Sequence, residues 1–256
     1  MAESARALAD LSPAADDHAV AATLATAAGS RLLEIRGELG FADASALRAA
    51  GDRGAQDLLA RELARLRPDD AILSEEARDD AVRLTRSRVW IIDPLDGTRE
   101  FSEEGRSDWA VHVALWIDGR VPVGAVALPS RGITLSTPNV AAPQANPGRS
   151  RMVVSRTRPP AETSAVAQAL NAELLPMGSA GAKVTAVVLG EADAYVHGGG
   201  QYEWDSAAPV AVALAAGLHA SRLDGSALRY NQADPYLPDL VVCRNDLREA
   251  VLTALR

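Results

Sequence analysis

The sequence contains a single cysteine, Cys243, so an intramolecular disulfide is excluded. This residue ends the apolar run Leu240-Val241-Val242-Cys243, which is typical of a buried strand and not of a nucleophile's surroundings. A chain without disulfides is compatible with a reducing compartment. We therefore expect a cytoplasmic protein.

A membrane segment and a strong positive charge are also lacking. The first residues show no basic stretch followed by an apolar one, because Asp10, Asp16 and Asp17 interrupt them. The longest weakly polar run, near 207–218, is too short and too rich in alanine to span a bilayer. The net charge of −8 disfavours binding to nucleic acid or to an anionic membrane surface. An anionic small substrate remains compatible, since a bound metal ion inverts the local charge.

Several catalytic signatures are absent as well. The sequence has no Gly-x-x-x-x-Gly-Lys phosphate loop and no Gly-x-Ser-x-Gly elbow, which disfavours a nucleotide-loop enzyme and a serine hydrolase. The histidines show no metal-ligand spacing, and we expect them to be structural or surface residues: His18, His112, His197 and His219.

The chain contains enough apolar residues to form a large core. It has 256 residues, of which 48% are hydrophobic and 23% charged, as in ordinary globular proteins. Helical spacing of apolar residues predicts helices over about 16–36 and 53–65. Short apolar runs predict strands at 71–73, 89–92, 109–117 and 121–128, with Asp118-Gly119 as a hairpin turn and a further strand at 132–136.

The second half alternates predicted strands and helices. Strands are expected at 152–155, 193–196 and 239–243, and helices at 161–170, 180–189, 205–216 and 246–255. Between the halves, 137–151 is rich in Pro, Gly, Asn and Gln. We therefore predict an N-terminal α+β domain over 1–145, which carries most metal ligands, and a C-terminal α/β domain over 146–256.

The stretch from Val89 to Phe101 has the strongest chemical pattern. An apolar strand ends in Asp93 and Asp96, and Gly97-Thr98 follow at once. Two carboxylates at a strand end suit a hard cation, and the backbone N–H groups after them suit an anion such as phosphate. An isolated pair is as often a turn or helix cap. The spacing of three argues against a covalent aspartyl-phosphate, because Leu95 occupies the position of the second acid.

Three further acidic segments could complete such a site. Ser74-Glu75-Glu76 end the preceding strand, so Glu75 would arrive beside Asp93 if the two strands are neighbours. Asp205, in the segment Glu203-Trp204-Asp205-Ser206-Ala207-Ala208-Pro209, is interpreted as a helix N-cap with Pro209 in the first turn. Asp52, after Gly51, is likewise interpreted as the N-cap of the second helix. A cap alone explains each of the two aspartates.

Together these segments resemble the inositol monophosphatase superfamily of metal-dependent, lithium-sensitive phosphatases. The resemblance spans roughly Asp16 to Arg244 and is carried by Asp-Pro-Leu-Asp-Gly-Thr, by Trp-Asp-Ser-Ala-Ala and by Ser-Glu-Glu. Within it, Arg99-Glu100-Phe101, Glu203 and Leu228-Arg229-Tyr230-Asn231 resemble the CysQ-type 3′(2′),5′-bisphosphate nucleotidases. The resemblance implies a layered αβαβα sugar-phosphatase fold that combines α+β and α/β parts.

The resemblance also implies roles for individual residues. Two or three Mg²⁺ ions would be held by Glu75, Asp93, the carbonyl of Leu95, Asp96 and Asp205. Gly97 and Thr98 would bind phosphate, and Asp52 would accept from Thr98. The usual Thr-x-Ala-Asp before that aspartate is replaced here by Ala49-Ala50-Gly51-Asp52. The implied mechanism is in-line attack by a metal-activated water that Glu75 and Thr98 orient.

The implied substrate is 3′-phosphoadenosine 5′-phosphate, a by-product of sulfate assimilation, which would be cleaved to AMP and phosphate. Candidates for contacts to its second phosphate and its base are Arg99, Lys183, Arg229 and Tyr230, each of which equally suits a surface or packing role. Inositol-1-phosphate or fructose-1,6-bisphosphate is the alternative substrate, and a non-catalytic sensor of a phosphorylated metabolite is a remote one. The resemblance leaves a homodimer open.

Overall fold

The computed structural model describes residues 2–144, 148–157 and 161–256 of the chain. The predicted domain boundary between residues 145 and 146 lies outside the described residues. On either side of it the chain builds a separate sheet, and we propose that the two predicted domains correspond to these sheets.

Three helices begin the chain: α1 (Ala2–Ala9), α2 (Asp17–Leu39) and α3 (Ala44–Leu66). Asp16 caps α2 by accepting from the Ala19 N–H at 2.9 Å. Asp43 caps α3 by accepting from the N–H groups of Ser45 and Ala46. The prediction that this second helix begins at residue 53 was therefore wrong, and Asp52 is not its cap. The helix continues through Gly51, whose Cβ-less surface lies against the side chains of Phe101 and Leu95.

The first sheet is formed by β1 (Ala71–Ser74), β2 (Arg88–Asp96), β3 (Ala110–Ile117), β4 (Arg120–Leu128) and β5 (Ile133–Ser136), in that order across the sheet. The four-residue helix α4 (Thr98–Phe101) follows β2. β1 is parallel to β2, whereas β2, β3, β4 and β5 pair antiparallel. The predicted hairpin at Asp118-Gly119 is confirmed, because both residues have positive φ, as its tight turn requires.

The second sheet has the order β10-β12-β8-β6-β7. Its elements follow the chain as β6 (Arg151–Ser155), α5 (Ala161–Ala169), β7 (Glu173–Met177), α6 (Ala180–Val188), β8 (Ala194–His197), β9 (Gln201–Tyr202), α7 (Glu203–Ala215), β10 (His219–Ser221), β11 (Tyr236–Leu237), β12 (Leu240–Cys243) and α8 (Arg248–Ala254). Sequence reasoning missed β7, an edge strand that contains Pro176, and the short strands β9, β10 and β11. The short strands β9 and β11 pair with each other in a separate two-stranded sheet.

Strand alternation assigns the two faces of the first sheet to different cores. Trp90 and Ile92 of β2 pack towards α2 and α3. Val89 and Ile91 pack towards α6 and α7, which also cover one face of the second sheet. The other face of that sheet packs against α5 and α8. This arrangement confirms the predicted αβαβα layering. None of the helices in the described part of the chain combines the length and apolar character of a membrane span.

Candidate active site

The carboxyl ends of β1 and β2 place two acids at the same edge of the first sheet. The strands are parallel neighbours, with Ser74 opposite Ile92. The residue after Ser74 is Glu75 and the residue after Ile92 is Asp93, so the two acids lie side by side where β1 ends. The sequence prediction that Glu75 arrives beside Asp93 is confirmed.

The end of β2 is shaped by its own side chains. Asp93 is fully buried, and its Oδ1 accepts from the Leu95 N–H at 3.0 Å. The pairing with β3 shifts register between Asp93 and Asp96, around Pro94. Gly97 then takes a φ of 88° and lies against Ser179, where a Cβ would meet the Ser179 Cβ at 3.0 Å. A glycine is therefore required for the turn that follows the second acid.

Helix α7 brings in a third acid from the other half of the chain. One carboxylate oxygen from each of Asp93, Asp96 and Asp205 lies within 4.8 Å of the others. Asp205 is the third residue of α7, and its Oδ2 accepts from the Tyr202 N–H at 2.6 Å. The predictions that Asp205 is the N-cap and that Pro209 lies in the first turn were wrong, because Tyr202 is the cap and Pro209 lies inside the helix.

Burial and mutual repulsion raise the pKa values of three acids in this cluster. Burial, followed by repulsion from Glu75, Asp96 and Asp205, raises the pKa of Asp93 well above its ordinary value. Desolvation and the neighbouring Asp96 raise the pKa of Asp205 to about 6. Partial desolvation of its carboxyl, then repulsion from Asp205 and Asp96, raises the pKa of Glu75 to about 7, although much of that residue is exposed. A cation between these groups would relieve the repulsion.

Asp93 supplies a direct test of whether the residues fit a metal. Its Oδ2 is buried and, among the described residues, has no hydrogen-bond partner. A buried carboxylate oxygen without a donor is costly unless a cation or a proton satisfies it. Because a carboxylate oxygen of Asp93 converges with one from Asp96 and one from Asp205, the residues fit a hard divalent ion.

Asp96 differs from its neighbours because donors surround one of its oxygens. Its Oδ2 accepts from the Ser179 hydroxyl and, at 2.6 Å, from the Gly181 N–H, and it lies 3.3 Å from His112 Nε2. Burial opposes ionisation, but the contacts with His112, Ser179 and Gly181 outweigh it and lower the pKa of Asp96 to about 2. Asp96 is therefore the acid of the cluster whose charge the protein itself stabilises.

Asp52 lies in α3 beside the acidic end of β1. One turn after it, Gln56 Oε1 accepts from the Ser74 hydroxyl at 2.7 Å. Desolvation and the nearby Glu76 raise the pKa of Asp52 to about 6. The Thr98 hydroxyl donates to the Leu95 carbonyl at 3.1 Å. The predicted pairing of Asp52 with Thr98 is not the hydrogen bond that this structure shows.

The four predicted substrate contacts lie in three places. Arg99 and Lys183 line one cavity of about 390 Å³, together with Gly178 and Ser179. Arg229 lines another, of about 400 Å³, with Arg222 and Tyr236. Tyr230 is 6% exposed, and its hydroxyl lies 3.2 Å from Ser206 Oγ, so its position favours a packing role.

Sequence reasoning missed the residues that surround Asp96. His112 was expected to be structural or at the surface, but it is buried between Asp93 and Asp96. The antiparallel register of β2 and β3 sets His112 directly opposite Asp93. For Ser179 and Gly181 we find no signal in the sequence beyond the start of a predicted helix.

Comparison with known proteins gives one consistent result. The sequence pattern described as the inositol monophosphatase family matches residues 18–256. A protein of Mycobacterium leprae (strain TN) named 3′-phosphoadenosine 5′-phosphate phosphatase is 55% identical over 262 residues, which cover 94% of this chain and 93% of that protein. A protein of Mycobacterium tuberculosis with the same name is 56% identical over 237 residues, which cover 89% of each chain.

A solved structure agrees in fold. CysQ from Bacteroides thetaiotaomicron, described as a bacterial member of the inositol monophosphatase family, superposes with a TM-score of 0.75 at 26% identity. The match covers 88% of this chain and 96% of that one. Fold and sequence therefore point to the same family.

Proposed function

The chain belongs to the inositol monophosphatase family, and from this premise we propose that it is a Mg²⁺-dependent phosphatase that converts 3′-phosphoadenosine 5′-phosphate to AMP and phosphate. The observation that carries the proposal is the convergence of carboxylate oxygens from Asp93, Asp96 and Asp205, together with the buried Oδ2 of Asp93 that has no hydrogen-bond partner among the described residues. The names of the relatives that are more than half identical supply the substrate. We further propose that the enzyme acts in the cytoplasm and removes a by-product of sulfate assimilation.

The metal ligands in this proposal are Glu75, Asp93, the Leu95 carbonyl, Asp96 and Asp205. Oxygen donors of this kind suit Mg²⁺, which keeps some of its waters and needs few protein ligands. Bound Mg²⁺ would supply an activated water on one side of phosphorus and charge neutralisation on the other. Glu75, at the end of β1, would orient the attacking water together with Thr98.

Asp52 supports Thr98 in this proposal. The Thr98 hydroxyl donates to the Leu95 carbonyl in this structure. The Leu95 carbonyl would instead be a ligand of the metal, and the Thr98 hydroxyl would then donate to Asp52. The Gly97 and Thr98 N–H groups, at the turn with positive φ, would bind the phosphate that is cleaved.

The rest of the nucleotide would enter the cavity beside Asp96. This cavity of about 390 Å³ is lined by Arg99, Arg156 and Lys183, and by Glu100, which pairs with Arg156 at 2.7 Å. Arg99 and Lys183 therefore leave the lining positive, against an overall charge of −8. Lys183 is the only lysine of the sequence; its Nζ is buried and donates to the carbonyls of Ser179 at 2.8 Å and Gly178 at 3.3 Å. The second phosphate of a bisphosphate substrate could contact these basic side chains, whereas a monophosphate has no group to place there.

Phosphate release tests the proposal. The purified enzyme with Mg²⁺ should hydrolyse 3′-phosphoadenosine 5′-phosphate with a kcat/KM at least about tenfold above those for inositol-1-phosphate and fructose-1,6-bisphosphate, and EDTA should abolish release. Asp96→Asn should remove activity while leaving the circular dichroism spectrum unchanged. The matched control is Asp69→Asn, the same change at an exposed position.

Each other outcome is informative. A preference for inositol-1-phosphate or fructose-1,6-bisphosphate would refute the substrate and retain the metal site. Absence of release from all three, with tight binding of one, would favour a sensor. Near-wild-type activity of Asp96→Asn would refute the assignment of the site.

A further inference from the structure

His112 occupies the junction between three parts of the acidic site. It lies on β3 directly opposite Asp93, and strand alternation turns its side chain towards α6 and α7. It is completely buried. Its Nδ1 lies 3.0 Å from the Trp204 carbonyl and 3.9 Å from Asp93 Oδ2, and its Nε2 lies 3.3 Å from Asp96 Oδ2.

The partners of the ring define what each nitrogen does. The Trp204 carbonyl can only accept, so Nδ1 must carry the hydrogen of that bond. Within the described residues, Nε2 has no partner that meets hydrogen-bond geometry, and it packs against Asp96 Oδ2 at 3.3 Å. The ring therefore spans from the first sheet to the residue before Asp205.

The packing around the ring leaves it no other position. A Cβ on Gly181 would lie 2.0 Å from His112 Nε2, so α6 can approach only because that residue is glycine. The Gly181 N–H donates to the same Asp96 oxygen that His112 faces, and so does the Ser179 hydroxyl. With Oδ2 surrounded in this way, Oδ1 is the oxygen of Asp96 that remains for a cation.

We propose that His112 is a positioning residue of the metal site: Nε2 packs against the Asp96 carboxylate and confines it, and Nδ1 donates to the Trp204 carbonyl and so fixes the start of α7, and hence Asp205. It contacts neither substrate nor metal in this role. The inference rests on the proposed metal dependence and extends it to a residue outside the ligand set. Since partners that orient metal ligands typically change metal affinity by 10- to 100-fold, the effect is measurable.

The test compares two amides that each replace one nitrogen. In His112→Asn the amide reaches the Nδ1 position and loses the Asp96 contact, whereas in His112→Gln it can reach the Nε2 position. His18→Asn is the matched control, because His18 is a partly buried histidine that hydrogen-bonds Thr137 Oγ1 instead. Mn²⁺ binding to each full-length variant, without substrate, is measured by isothermal titration and by electron paramagnetic resonance of free Mn²⁺.

We expect His112→Asn to raise the Mn²⁺ dissociation constant by roughly 10- to 100-fold, His112→Gln to recover at least part of that loss, and His18→Asn to match wild type. At saturating metal, KM for the bisphosphate should stay within about twofold in both His112 variants, while the metal concentration for half-maximal activity rises. Unchanged Mn²⁺ affinity in His112→Asn would overturn the proposal.

Two further results keep the outcomes distinct. If His112→Asn does not fold, the wild-type protein labelled with ¹⁵N-histidine still decides, because Nδ1 of His112 must carry a hydrogen; an Nδ1 without one would overturn the proposal. If the wild type binds no Mn²⁺ and releases no phosphate, the proposed function fails, and with it the premise of this inference. If the wild type is active and the His112 variants bind Mn²⁺ as tightly as it does, this inference is refuted while the proposed function stands.

Discussion

Replacing Asp205 by asparagine should stabilise the metal-free protein while it inactivates the enzyme. The pKa of Asp205 is raised from an ordinary value of 3.8 to about 6, first by burial and then by Asp96. Its ionised form is therefore disfavoured in the folded state. The asparagine oxygen can still accept from the Tyr202 N–H, so the start of α7 is kept.

The magnitude follows from the size of this shift. A difference of about two pKa units corresponds to about 3 kcal/mol between folded and unfolded states at pH 7.5. This is an upper limit, because the neighbouring carboxyls take up protons in place of Asp205. In a chain of this length 1 kcal/mol moves Tm by about 2–4 °C, so we expect Tm to rise by several degrees in EDTA.

Thermal unfolding of wild type and Asp205→Asn, with EDTA and with excess Mg²⁺, measures the effect. Mg²⁺ should stabilise the wild type more than the variant, since a ligand of the folded state stabilises it by RT ln(1 + [L]/Kd) and the variant, which lacks one ligand, should have the higher Kd. The difference in Tm should then shrink or reverse. Asp69→Asn should change neither value. A variant equal to or below wild type in EDTA would refute the reasoning that charge repulsion at this site costs stability.

Three other predictions test separate parts of the structure. In EDTA, Asp205→Asn should make the free energy of unfolding in urea fall less steeply, relative to wild type, as pH rises from about 4 to about 7. Asp205 has a raised pKa, so in wild type it loses its proton at higher pH when folded than when unfolded. An unchanged slope would contradict the cluster's charge state, and Mg²⁺ should reduce the difference. Gly51→Ala should destabilise the protein by about 1–3 kcal/mol and reduce activity, because its Cβ would lie 2.7 Å from Phe101. The control is Gly37→Ala, in open space on α2, which should stabilise the protein by about 0.5–1 kcal/mol. Equal urea midpoints for the two variants would contradict the packing argument. Lys183→Met should raise KM for 3′-phosphoadenosine 5′-phosphate about tenfold with a smaller change in kcat, in steady-state phosphate release, and an unchanged KM would remove Lys183 from the substrate cavity.

The sequence was sufficient for the order of the layers and for the acids at the strand ends. Short apolar runs followed by Glu75 or Asp93 mark both the strands and their functional edge, since strand ends and acidic ligands are local patterns. The predicted roles of these acids stay predictions. Local patterns were misleading where more than one residue could cap a helix. Asp52 and Asp205 each resemble an N-cap, but both lie inside helices that begin earlier.

The surroundings of Asp96 could not be predicted for a different reason. Ser179 and Gly181 lie more than eighty residues further along the chain and reach Asp96 only because α6 packs between the two sheets. His112 resembled any apolar-strand histidine until the register of β2 and β3 was known. Contacts of this kind depend on tertiary packing, which the spacing of apolar residues along the sequence does not predict.

The close contact between β4 and α7 has a consequence for how the catalytic centre keeps its dimensions. A Cβ on Gly124 would lie 2.7 Å from the Ala211 Cβ and 2.8 Å from the Ala208 carbonyl, so glycine and alanine set the spacing between sheet and helix. That spacing also sets how far Asp205 stands from Asp93 and Asp96. The smallest side chains of the protein thus set the dimensions of its metal site. A single methyl group added at Gly124, on a strand that carries none of the proposed ligands, would widen the gap that the cation has to bridge.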